Sequence, residues 1–244
     1  MTITPHTREW LDWVLVTSHP LRRLDDQENL LGIGSGTLLD YRGRRFLLTV
    51  QHNVPLGSSD WLLDLGKISD KGTEIYKPKH FLYVGEYACS TGEGRAIDFC
   101  FSELPTDLNS IYQQRTPWVS GEERHRHVFK SDLTTSPPTE QIYAFSGEIQ
   151  PEKHGPGSYA MTMTVNPGLK YLRTDSEMHV FELPVPHPGH EHFRGCSGAP
   201  IVDMKRRVVA LVCGGNEEEG TVYGVSVARY KFALDFYCST KGDA

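Results

Sequence analysis

The sequence predicts an all-β molecule of two lobes with a short helix at each end. Short apolar runs recur at close spacing through most of the 244 residues, broken by glycine, proline and charged turns. A polar stretch at residues 108–140 divides these runs into two groups, and only the two ends show helical spacing.

At the N-terminus, residues 7–16 carry Trp10, Leu11, Trp13, Val14 and Leu15 before Pro20, a short amphipathic helix with Thr7 as its cap. Residues 31–39 form a glycine-punctuated strand, Arg42 and Gly43 a turn, and residues 45–50 a second strand. Further strands are expected at 61–65, 80–84, 97–104, 141–145, 160–165, 180–183, 200–202, 208–212 and 221–227. The stretch between the groups holds a charged run at 121–127 and two prolines, and reads as a connection with room for some helix. Val227, Tyr230, Leu234 and Tyr237 recur at helical intervals, so the chain should end in a helix packed on the second lobe. The expected division is a first lobe at 28–110, a connection at 111–140 and a second lobe with its helix at 141–244.

The bulk chemistry narrows the function. The chain is 38% hydrophobic and 23% charged, too apolar for disorder. A net charge of −6 and a pI near 6.0 argue against nucleic acid as a partner, because phosphate binding needs a basic face. The apolar run 10–16 is broken by Asp12 and ended by Pro20, so no membrane span is expected, and residues 1–7 lack the organisation of a secretory signal. Five cysteines, Cys89, Cys100, Cys196, Cys213 and Cys238, show no paired spacing and no C-x-x-C pattern, which suits reduced thiols in the cytoplasm.

Three segments carry chemistry. Gly34-Ser35-Gly36-Thr37 and then Leu48-Thr49-Val50-Gln51-His52 make a hairpin ending in a histidine. Ala96-Ile97-Asp98-Phe99 sets an aspartate in an apolar strand, and Gly195-Cys196-Ser197-Gly198 sets a serine in a glycine-flanked turn before Ala199-Pro200. Singly, each is unremarkable: a strand-end histidine is usually a surface residue, an aspartate before a strand a turn residue, and G-x-S-G recurs by chance. Together they supply what acyl transfer needs: a nucleophile, a base to take its proton and an acid to fix the base's tautomer.

These motifs resemble the trypsin/chymotrypsin-like serine proteases, particularly their disulfide-free bacterial and intracellular branches. Residues 34–54, 96–104 and 194–202 are similar to that family's three signature segments, in the order His, Asp, Ser, spaced 46 and then 99 positions apart. The resemblance runs from about residue 32 to residue 227. It implies two six-stranded Greek-key barrels, a single peptidase domain over 1–244, and His52, Asp98 and Ser197 as the catalytic triad. It also implies an oxyanion hole from the backbone N–H groups of Gly195 and Ser197, a polypeptide substrate and no cofactor.

The chain departs from the family at Cys196, where the secreted digestive members carry an aspartate that pairs with a newly released N-terminus, so no such activation is expected. Cys196 is a rival nucleophile, but Ser197 is the residue followed by glycine. By position, Glu191, His192, Cys213, Gly214 and Gly215 should line the substrate site. Glu191 at the pocket base would favour a basic substrate residue, an insertion of one would put His192 there instead, and Gly214 and Gly215 offer an open edge for an extended peptide. His187, His190 and His192 read as a solvent-exposed loop rather than a zinc site, since no carboxylate or cysteine completes a ligand set. The competing expectation is a catalytically silent or partner-gated module on the same fold, whose regulatory protein partner could dock on the tryptophans of the first helix. An α/β-hydrolase is excluded by its G-x-S-x-G spacing and its order Ser, Asp, His.

Overall fold

The computed structural model describes residues 4–242 apart from 58–59, 70–71, 89–92, 116–119, 135 and 156–157, so Cys89 lies outside the described residues. Helix α1 (Pro5–Val14) starts earlier than expected. Its cap is Thr4 rather than Thr7: the Thr4 hydroxyl accepts the Thr7 N–H at 3.2 Å. Proline at the first helical position brings a preset φ and no orphan N–H, which favours this start. The helix buries Trp10 and Val14, and Trp10 Nε1 donates to the Asp203 carbonyl of the second lobe at 2.9 Å. Trp13 lies edge-on to His127 and Phe129. Both tryptophans are therefore engaged within the chain.

The first lobe contains β1 (His19–Leu24), β2 (Leu30–Tyr41), β3 (Arg44–Thr49), β4 (Trp61–Ser69), β5 (Gly72–Tyr76), β6 (Leu82–Ala88) and β7 (Glu93–Leu104). They form one sheet in the order β5-β4-β1-β2-β3-β7-β6. The β2–β3 turn is the expected one: Arg42 and Gly43 take φ of 49° and 75°, the doubly left-handed form whose twist suits a two-residue hairpin. Strand β1 was concealed from the sequence by Pro20 and the paired arginines. Arg22 is nevertheless inside, bonded to Asp64 at 2.6 Å and to Glu148 of the second lobe at 3.4 Å.

Strand, not helix, fills the connection. β8 (Ile111–Arg115) and β9 (Ser120–His125) pair as a hairpin, and β10 (Val128–Lys130) adds to β2 in parallel. Phe129 enters the core, while the buried Arg126 is held by the carbonyls of Ser18 and Ile111 and by Glu148. These long-range contacts outweigh local preference.

The second lobe closes into a six-stranded barrel in the order β11-β12-β13-β16-β15-β14. Its strands are β11 (Ile142–Gly155), β12 (Ser158–Asp175), β13 (Met178–Glu182), β14 (Pro200–Asp203), β15 (Val208–Asn216) and β16 (Thr221–Ser226). β11 and β12 are much longer than the expected 141–145 and 160–165. The Pro167-Gly168 pair, which looks like a strand end, is instead a bulge with Gly168 at φ 87°. Helix α2 (His190–Phe193) precedes the nucleophile segment, and α3 (Lys231–Lys241) closes the chain on Leu234 and Cys238. One hydrophobic cluster joins the lobes, from Phe46, Phe99 and Phe101 to Ala144, Val202, Leu211 and Leu234. Tyr230 stacks on Phe99 at 5.4 Å, which seats the strand carrying Asp98. Among the described residues no helix is long and apolar enough to cross a membrane.

Candidate active site

The site lies where the first lobe's β3 end and β7 meet the turn ahead of β14. Thr49 ends β3, and the chain turns at once through residues 51–54, which projects His52. Asp98 stands opposite on β7. One carboxylate oxygen accepts the His52 backbone N–H at 2.9 Å, and the other meets the ring Nδ1 at 2.8 Å. A carboxylate can only accept, so Nδ1 carries a proton, which in the neutral ring leaves the lone pair on Nε2. The pair borders solvent, with 46% of the His52 side chain and 36% of the Asp98 side chain exposed.

Ser197 sits half-buried in a turn made by two left-handed glycines, Gly195 at φ 105° and Gly198 at φ 87°. A Cβ on Gly195 would strike the Glu148 carbonyl, and one on Gly198 the Ser35 carbonyl, so neither position admits a side chain. Arg194 takes φ −60° and ψ 119°, and the Cys196 N–H bonds the Phe193 carbonyl at 2.9 Å. With Gly195 this defines a type II turn, whose central peptide is rotated about half a revolution from the type I form. Among the described residues neither the Gly195 nor the Ser197 backbone N–H donates a hydrogen bond. Buried N–H groups are nearly always paired, so two free donors on either side of the bonded Cys196 N–H are unusual.

The first lobe grips this turn by its carbonyls. Ser35 Oγ donates to the Gly195 carbonyl at 2.7 Å, and Thr37 Oγ1 to that of Gly198 at 3.2 Å. The Ser197 carbonyl takes the Ser35 N–H at 2.8 Å and the Asn53 side-chain amide at 2.7 Å. In the sequence Ser35 stands out only as part of a motif and Asn53 not at all, since a cross-lobe contact leaves no local pattern.

Cys196 points the other way, fully buried in the barrel core against Gly147. Burial pushes its thiol up to about 12, which leaves it protonated and inert. Of the expected substrate-site residues, Glu191 is 87% exposed on its side chain and meets Arg194 at 3.4 Å in solvent. His192 is half-buried beside Phe193. Cys213, half-buried, has its thiol raised to about 12 by burial and by the Asp98 carboxylate. Gly214 is exposed, and β14 pairs with β15 only as far as Leu211, so one edge beside Gly214 and Gly215 has no strand partner among the described residues. His187 packs edge-on to Phe193 at 4.9 Å, and its Nε2 lies 3.0 Å from where a Cβ on Gly215 would be. Among the described residues no three His, Cys, Asp or Glu side chains cluster as a metal site requires.

No family model and no curated protein matches the sequence. Solved structures do match. The serine endoprotease from Yersinia pestis superposes with a TM-score of 0.55 at 13% identity, over 97% of this chain and 67% of that one. Neuropsin, a serine protease expressed in the limbic system of mouse brain, gives 0.57 at 15% identity over 96% of each chain. Human heparin binding protein gives 0.56 at 11% identity over 92% of each. The chain thus has the trypsin/chymotrypsin-like serine protease fold, and the likeness drawn from three short motifs extends to the whole architecture.

Proposed function

We propose that this chain is a serine endopeptidase that cleaves a polypeptide through His52, Asp98 and Ser197 and an acyl-enzyme intermediate. The observation that carries the reading is the pairing of His52 with Asp98 across from a serine whose turn leaves two backbone donors free. Ser197 Oγ attacks the scissile carbonyl while His52 Nε2 accepts its proton. Asp98 holds the ring and stabilises the imidazolium. The Gly195 and Ser197 N–H groups receive the oxyanion, and a donor of this kind is worth about 3 kcal/mol in the transition state. His52 then returns the proton to the leaving amine, and water repeats the sequence to free the acid. The extended substrate adds as a strand along Gly214 and Gly215. Glu191 supplies no buried counter-charge, so we assign no basic preference to the pocket.

The working unit is the whole of 1–244, because base and nucleophile come from different lobes. A cytoplasmic setting agrees with the four described cysteines, all free thiols. The silent or partner-gated alternative rests on one observation: among the described residues Ser197 Oγ makes no hydrogen bond to His52. Catalytic hydrogen bonds are commonly loose in unliganded enzymes, so this does not displace the first reading.

Digestion of a peptide library with mass-spectrometric product mapping tests it. Wild type should cut, with Ser197→Ala and His52→Ala each slower by several orders of magnitude. Cleavage that survives both substitutions, or none by wild type, contradicts it.

A further inference from the structure

Asn53 follows His52 directly, yet its side chain goes to the other lobe. The residue is 6% exposed, and its amide donates to the Ser197 carbonyl at 2.7 Å and, more weakly, to Thr49 Oγ1 at 3.3 Å. A carbonyl can only accept, so the amide nitrogen must face Ser197. The Ser35 N–H approaches the same carbonyl at 2.8 Å, which uses both of its lone pairs. Gly34 makes room for the amide: a Cβ there would lie 2.6 Å from Asn53 Nδ2 and 2.8 Å from its Cγ. The ring of His52 is fixed on the Asp98 side and the amide of Asn53 on the Ser197 side. One residue step therefore spans from base to nucleophile.

We propose that Asn53 is a positioning residue that locks the nucleophile turn to the base-bearing turn across the lobe boundary, with Gly34 kept bare to admit it. This rests on the protease reading above. The lobes are otherwise joined here by Ser35 and Thr37, which hold the turn but do not adjoin the base in the chain. Asn53 ties the two reacting groups together and leaves substrate contacts alone. Its loss should therefore slow the chemical step and spare binding.

The test is the kinetics of fluorophosphonate labelling of the full chain, resolved into a maximal rate and a probe affinity, with far-UV circular dichroism confirming the fold. Asn53→Ala should lower the maximal rate on the order of tenfold to a hundredfold, the scale of a misplaced reacting group, with affinity unchanged. Asn53→Asp keeps the volume but sets acceptor against acceptor, and should be slowed as well. Gly34→Ala should slow the parent chain yet cost nothing further in the Asn53→Ala background. A wild-type rate in either Asn53 variant, or a Gly34→Ala penalty that persists without the amide, overturns the proposal. If the wild-type chain does not label at all, the protease reading is what has failed. The backbone ¹⁵N shift of Gly198, next to the held carbonyl, then decides: it moves in Asn53→Ala if the bridge sets the turn, and an unmoved shift overturns the proposal.

Discussion

Cys196 and Ser197 stand side by side in the chain, and either could be a nucleophile by residue type alone. Burial separates them: the thiol belongs to the barrel core and is held protonated, whereas the serine is half-buried at the cleft. Cys196→Ser should therefore leave labelling at Ser197 intact while lowering stability by about 1–3 kcal/mol, since a hydroxyl would enter an apolar site without a partner. Denaturant unfolding and probe labelling together check both halves, and loss of labelling in a folded Cys196→Ser chain would contradict the assignment. The turns that carry His52 and Ser197 and the strand that carries Asp98 were legible in the sequence, because glycine turns and a strand-end histidine leave local marks. Glu191 shows the limit of counting: one residue of difference in a loop decides whether a side chain faces a pocket or water, and its carboxylate faces water.

Among the elements, those with alternating apolar residues and strong turn residues were legible, as in the β2–β3 hairpin. Strand β1 was not, because Arg22 is largely buried and paired with carboxylates supplied by β4 and β11. Nor was the length of the β11–β12 hairpin, whose proline and glycine mark a bulge rather than an end. Helix α1 was legible, but its fate was not: Trp10 is 2% exposed and bonded to the second lobe, which makes the helix a structural brace. Trp10→Ala should cost about 3–5 kcal/mol of unfolding free energy from the cavity and the lost hydrogen bond. A change below about 1 kcal/mol by chemical denaturation would show that the helix does not brace the lobes.

Across the whole molecule, two histidines are folded away uncharged. His19 accepts from Ser110 Oγ at 2.7 Å and donates to the His127 carbonyl at 2.9 Å; burial, aided by the Arg126 charge, pulls it down to about 3. Burial lowers His179 to about 4. In the unfolded chain both titrate near 6.5, so that state binds more protons below this pH. Stability is therefore full above about pH 7 and falls as the pH drops toward the folded values, by up to about 1.4 kcal/mol per unit for each histidine. Unfolding free energies at about pH 7 and about pH 5 should differ by roughly 2–4 kcal/mol, and equal values would show that the two rings are protonated in the folded state. The central claim, however, concerns how the lobes meet: a base from one and a nucleophile from the other form a working pair. Intact-mass analysis after fluorophosphonate treatment tests this most directly. One probe per chain on Ser197, abolished by Ser197→Ala and by His52→Ala, is the predicted result. A folded chain that takes up no probe, or one still labelled without His52, would contradict it.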